Sequence, residues 1–120
     1  MRRNFRTVQT VFTALTLIGA IGFSATAIAG DKIEEGKKLA FNKKKGNCLA
    51  CHHIVGGTQP GNIAPPLVGM KGRFPKKSDL RAQIVDPRVK NPDSMMPPFG
   101  PHAILTDEEI DSIVEFIYSL

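Results

Sequence analysis

Apolar positions fall into a regular period over only a few stretches of this chain. The clearest is at its end. Ile110, Ile113, Val114 and Ile117 recur at i, i+3, i+4, i+7 and define one buried stripe of an amphipathic helix. Thr106 and Glu109 stand three apart ahead of that stripe, the spacing of a capping box, and Asp107 and Glu108 put negative charge in the first turn. A shorter helix is expected from a Ser78 cap through about Val85, with Leu80, Ile84 and Val85 inward and Pro87 as its stop. A third is expected from an Asp31 cap to about Asn42, burying Ile33, Ala40 and Phe41. Gly36 in its interior costs about 1 kcal/mol against alanine, so the position points to close approach by another helix. Lys43, Lys44 and Lys45 suit the C-terminal end of that helix dipole, and Gly46 ends it. Residues 54–77 are dense in glycine and proline and residues 86–102 lack a period, so both read as loop. No stretch reads as a strand. The fold class is therefore all-α, with short helices and long loops.

A different pattern occupies the N-terminus. Arg2, Arg3 and Arg6 precede an apolar run from Val8 to Phe23, followed by the small-x-small site Ala27-Ile28-Ala29. This is the layout of a secretory leader, expected to be cleaved so that residues 1–29 are removed and residues 30–120 form one domain. The run is short for a spanning helix, so an uncleaved leader is the one route to a membrane. The expected location is the bacterial periplasm, by the general secretory route. The leader also changes the charge. The full chain has 16 Lys and Arg against 11 Asp and Glu, and three of those arginines leave with the leader. The remaining basic side chains concentrate in residues 30–77 and the acidic ones in residues 78–120. An exported chain with so little net charge, its lysines gathered in one half, is a poor match for a nucleic-acid binder.

The chemistry lies in Cys48-Leu49-Ala50-Cys51-His52. Two thiols three positions apart can each form a thioether with one vinyl group of the same porphyrin, and the following histidine can then reach the iron. The other uses of a C-x-x-C pair fit less well. A zinc site needs four ligands, and the chain has no third cysteine. A thioredoxin-like pair needs a βαβ context, which is missing here. A disulfide leaves the adjacent histidine without a role. Covalent haem c is thus the cofactor, held by Cys48 and Cys51, with His52 as one axial ligand. The sixth position has four candidates: Met70, Met95, Met96 and His102. Met96 is favoured because Pro97 and Pro98 stiffen the loop behind it, and a thioether raises the potential relative to a second imidazole. Met95 is the near alternative, Met70 suits core filling, and His102 suits a surface loop. A ligating imidazole donates its other N–H to a fixed acceptor. The Pro65 carbonyl is the candidate, with an ordinary loop as the alternative.

The haem motif, the Pro65-x-Leu67-x-Gly69 segment, the Met-Pro loop and the C-terminal helix, in that order, resemble a class I cytochrome c over the whole of residues 30–120. That resemblance implies N- and C-terminal helices that cross and pack, with the haem edge partly exposed. It also supports the Pro65 role, although the family's usual glycine before this proline is Ala64 here. A narrower resemblance rests on Gly46-Asn47-Cys48, Pro60-Gly61-Asn62-Ile63-Ala64-Pro65-Pro66-Leu67, Met96-Pro97-Pro98-Phe99-Gly100, and Leu105-Thr106 with Glu109-Ile110. Together these are similar to the monohaem cytochrome subunits (SoxX) of the SoxAX complex. What this implies is a redox subunit of an L-cysteine S-thiosulfotransferase complex in thiosulfate oxidation. Its partners would be a SoxA-type cytochrome subunit, a sulfur-carrier protein and a cytochrome c electron acceptor.

Cysteine usage sets the division of labour. Both cysteines of the chain are consumed by the haem, so no free thiol is left as a nucleophile. Alone, the chain is expected to be non-catalytic. Two other classes stay open: a freely diffusing electron carrier, and a haem-based ligand sensor with an open iron position. Lys43, Lys44 and Lys45 before the motif, and Lys71, Arg73, Lys76 and Lys77 after it, are candidates for a basic rim that steers an acidic partner; a solvated face is the plain alternative.

Overall fold

The computed structural model describes residues 25–120, so most of the expected leader lies outside the described residues. Four α-helices follow in order: α1 (Ala25–Phe41), α2 (Met70–Arg73), α3 (Lys77–Val85) and α4 (Asp107–Tyr118). Single 3-10 turns occupy Cys48–Ala50 and Pro87–Val89. No strand occurs among the described residues.

α4 organises the rest. Its N-terminus carries the reciprocal capping box: the Glu109 N–H donates to Thr106 Oγ1 at 3.2 Å, and the Thr106 N–H donates to Glu109 Oε2 at 3.0 Å. Ile110, Ile113, Val114 and Ile117 are all buried, and Phe116 and Ser112 join them because two helices, not one, pack on this element. Replacing Thr106 by alanine orphans an N-terminal donor. The expected cost is about 1 kcal/mol, read as a lower denaturation midpoint of the haem-loaded protein with the haem spectrum unchanged.

α1 crosses α4 at Gly36. A Cβ built there would collide with the Ser112 carbonyl oxygen of α4, so the glycine sets how close the two backbones come. Ala40, fully buried, is small for the same reason. Flanking the crossing, the Phe41 and Phe116 rings meet edge to face at 5.7 Å, and Ser112 Oγ donates to Glu35 Oε2 at 3.1 Å. α1 starts earlier than expected. Asp31 is not its cap: helix already runs from Ala25, because alanine-rich residues favour its continuation.

α3 packs beside α4 through Leu80 and Ile84, while Val85 is only half-buried. Arg81 clasps α4 with Nε on Asp111 and Nη2 on Asp107, both at 2.7 Å. Ser78 does not cap this helix. The cap position is Lys76, and Lys77 opens the helix while its ammonium holds the Glu115 carboxylate at 2.8 Å. The cap thus lies two residues before the serine, and the ion pair joins the first helical residue to α4. α2 is a single turn set inside the stretch read as loop. It follows Gly69, whose φ of 60° is left-handed backbone.

Candidate functional site: a haem-sized cavity behind the C-x-x-C-H turn

Asn47, in left-handed conformation at φ 47°, turns the chain into the Cys48–Ala50 3-10 turn. The His52 N–H donates to the Cys48 carbonyl at 2.9 Å and the Cys51 N–H to the same oxygen at 3.3 Å. One tight turn therefore carries both thiols and the imidazole. A second segment is laced onto it: the Gly61 N–H donates to Leu49 O at 2.7 Å, Ala64 N–H to Cys51 O at 3.1 Å, and Leu67 N–H to His53 O at 2.9 Å. Gly61 is required for this fit, since a Cβ there would meet the Ala50 carbonyl.

That lacing brings Pro65 to His52. His52 Nδ1 lies 2.7 Å from the Pro65 carbonyl oxygen. A carbonyl only accepts, so Nδ1 carries the proton and Nε2 keeps its lone pair for a metal. The neighbouring carbonyl is held as well: Arg73 Nη1 donates to Pro66 O at 2.7 Å and to Met70 Sδ at 3.4 Å. Residue type and spacing alone carry no signal for this Arg73 contact, because it depends on how α2 folds back.

Behind the turn lies a cavity of about 540 Å³. Cys48, His52 and Pro65 form one side, and Met96, Leu80 and Ile84 stand among the remaining wall. Its floor includes Ile113 and Ile117 of α4, whose apolar stripe thus serves both the helix crossing and the cavity. The four sixth-ligand candidates separate by position. Met96 is half-buried in the wall, its N–H donating to Ser94 Oγ at 3.2 Å. Met95 is 90% exposed and Met70 1% exposed, although both border the cavity. His102 is exposed, its N–H donates to Pro98 O at 3.1 Å, and it is no part of the cavity wall.

The donor set fits a haem. Paired thiols, a histidine with its outer nitrogen already engaged, and an apolar cavity match the needs of a flat macrocycle covalently held at one edge. Burial pushes the Cys48 thiol up to about 11, with the nearby Cys51 adding in the same direction against a backbone hydrogen bond. In the folded chain that sulfur is a weak nucleophile.

The expected basic rim is thinned by internal pairing. Lys45 Nζ meets Glu109 Oε1 at 2.7 Å, Lys77 is held by Glu115, and Lys71 lies 5.9 Å from the Tyr118 ring centroid. Lys43, Lys44 and Lys76 stand exposed. The Lys45 contact ties the segment before the haem turn to the cap of α4. Together with the Thr106 N–H, it holds the Glu109 carboxyl below its ordinary value of 4.5. A lowered folded-state value means the unfolded chain binds the proton first. The stabilisation is present above the unfolded value and fades as pH falls through the folded one. Glu109→Gln is expected to flatten the acid limb of a stability curve as pH falls below the ordinary value of 4.5, checked by denaturation midpoints across that limb.

A turn carrying two thiols and a histidine, a haem-sized cavity and crossed terminal helices define a class I c-type cytochrome. The cytochrome c family matches residues 33–120, and the chain belongs to that family. The cofactor of this family is covalently bound haem c, and electron transfer is its work. The chain is also 43% identical over 89 residues to an uncharacterized lipoprotein of Aquifex aeolicus (strain VF5). The match covers 69% of this chain and 40% of the relative, so the chain spans less than half the length of that protein.

Proposed function

We propose that this chain is a periplasmic monohaem cytochrome c and the electron-transfer subunit of a SoxAX-type complex. The observation that carries the redox part is the 2.7 Å hydrogen bond from His52 Nδ1 to the Pro65 carbonyl. It leaves Nε2 as the only ring nitrogen able to bind iron and fixes the ring at the edge of the cavity. When bound, the haem supplies a one-electron couple between ferric and ferrous iron. The surrounding residues do the rest. Cys48 and Cys51 would anchor the ring, His52 and Met96 would offer the nitrogen and sulfur that bind its iron, and the apolar wall would limit access of water. A histidine and a methionine both bound to the iron would leave no open position, which would disfavour a ligand sensor.

The SoxAX assignment rests on the Pro60–Leu67 and Met96–Gly100 runs, whose residues build two sides of the same cavity. Its SoxA-type partner, the sulfur-carrier protein and the cytochrome c acceptor follow from that likeness. A freely diffusing carrier is the second reading. Isolation with a second cytochrome subunit favours the first, and isolation as a lone monomer with unselective electron exchange favours the second. Export is supported by the leader pattern and by the lipoprotein relative.

Met96→Ala tests the ligand set. The Met–Fe(III) charge-transfer band should vanish and the reduction potential should fall, because a thioether ligand favours ferrous iron. A band that survives in Met96→Ala and vanishes in Met95→Ala would move the ligand to Met95.

A further inference from the structure

The chain has four methionines, and three of them surround the haem cavity with very different reach. Met70 is 1% exposed, and its Sδ already takes an N–H from Arg73. Met96 is half-buried in the wall. Met95 is 90% exposed, the most exposed large apolar side chain among the described residues. It nevertheless borders the cavity, as does Ile63 at 72% exposure. An unshielded thioether thus stands at the open border of the cavity, beside a second thioether that is half-buried in its wall.

We propose that Met95 is a site of oxidation by hydroperoxides, and that this oxidation slows electron exchange at the cavity. The sulfur lone pair attacks the outer peroxide oxygen. The S–O bond forms and the O–O bond breaks, the sulfur gives up two electrons, and the peroxide is reduced to water, or to an alcohol for an organic hydroperoxide. The product sulfoxide is polar and accepts hydrogen bonds where an apolar side chain stood. Selectivity follows from access: Met70 is sealed in the core and Met96 is turned to the cavity, so neither competes for a limiting oxidant. Iron ligation is preserved while the contact face changes. The effect on electron exchange rests on the redox function proposed above; the place of oxidation does not.

The test uses the exported, haem-loaded ferric protein and limiting hydrogen peroxide. Peptide mass spectrometry maps the added oxygen, the Met–Fe(III) band reports the axial bond, and stopped-flow mixing with a soluble c-type cytochrome reports exchange. The expected result is a first oxygen on Met95, an intact band, and exchange slowed several-fold. Met95→Leu, apolar but not oxidisable in this way, should keep its rate through peroxide treatment. Met95→Gln, polar from the start, should be slow without peroxide and retain the band. A first oxygen on Met96 or Met70 overturns the proposal, and so does Met95→Gln exchanging at the wild-type rate. If untreated wild-type protein exchanges no electrons, the redox function falls, and the mapped position of the oxygen still decides the oxidation site.

Discussion

A chain with serine at both Cys48 and Cys51 should fail to fold cooperatively. The reason is the size of what those thiols hold in place. The cavity behind the haem turn measures about 540 Å³ and includes Leu80, Ile84, Phe99, Leu105, Ile113 and Ile117 in its wall, all of them part of the buried core. At ~24 cal/mol for each Å³ of enclosed apolar volume, on the order of 10 kcal/mol is an upper bound for leaving it empty, since the cavity is partly open to water. A small domain has about 5–15 kcal/mol of total stability. The helices around the cavity are also short, and isolated helices under ~12–15 residues are marginal in water. Without the ring, α3 and α4 lose what they pack against across the cavity and keep only each other and the α1–α4 crossing. Circular dichroism of the exported double variant should show much reduced helix and no cooperative melting. A sharp transition near that of the haem-loaded protein would show that the helices stand by themselves and would falsify the hollow-core account.

This dependence explains which parts of the fold were legible in the sequence. α4 could be read almost residue by residue, because the capping box from Thr106 to Glu109 and the stripe from Ile110 to Ile117 are both local signals. The end of α3 was equally local, set by the proline after Asp86. Its start was not, since the helix opens at Lys77 with no side-chain cap to mark it. Asp31 had the chemistry of a cap, but helix propensity in the preceding alanines outweighed it. α2 is one turn amid glycines and prolines, and no periodicity can appear in four residues. At the site, the thiols and His52 are adjacent in sequence, so their grouping was readable, and Pro65 was reachable through the general need of a ligating histidine for an acceptor. Arg73 on the Pro66 carbonyl and Lys45 on Glu109 were not, because each depends on a tertiary approach that no spacing encodes.

Gly36→Ala should destabilise the haem-loaded protein by about 2–4 kcal/mol, the reverse of what helix propensity predicts. In an isolated helix the change would gain about 1 kcal/mol, through lower backbone entropy in the unfolded chain. Here the new methyl meets the Ser112 carbonyl oxygen and carbon, with the Ile113 nitrogen 3.0 Å away. These are backbone atoms inside α4 and cannot rotate aside as a side-chain tip can. Relief requires α1 to lift from α4, which loosens the Phe41–Phe116 contact and the Ser112–Glu35 hydrogen bond on either side of the crossing. Ala40 sits one turn further along the same interface with no exposed surface, so the separation propagates into the core. Such overpacking penalties run to about 1–3 kcal/mol or more, and the lost contacts add to them. Denaturant unfolding followed by circular dichroism measures the loss, while an unchanged haem spectrum in buffer shows that the site itself is intact. The two effects have opposite sign, so the outcome is decisive. A more stable Gly36→Ala protein would mean that the helices cross with room to spare and that the glycine has some purpose other than close packing.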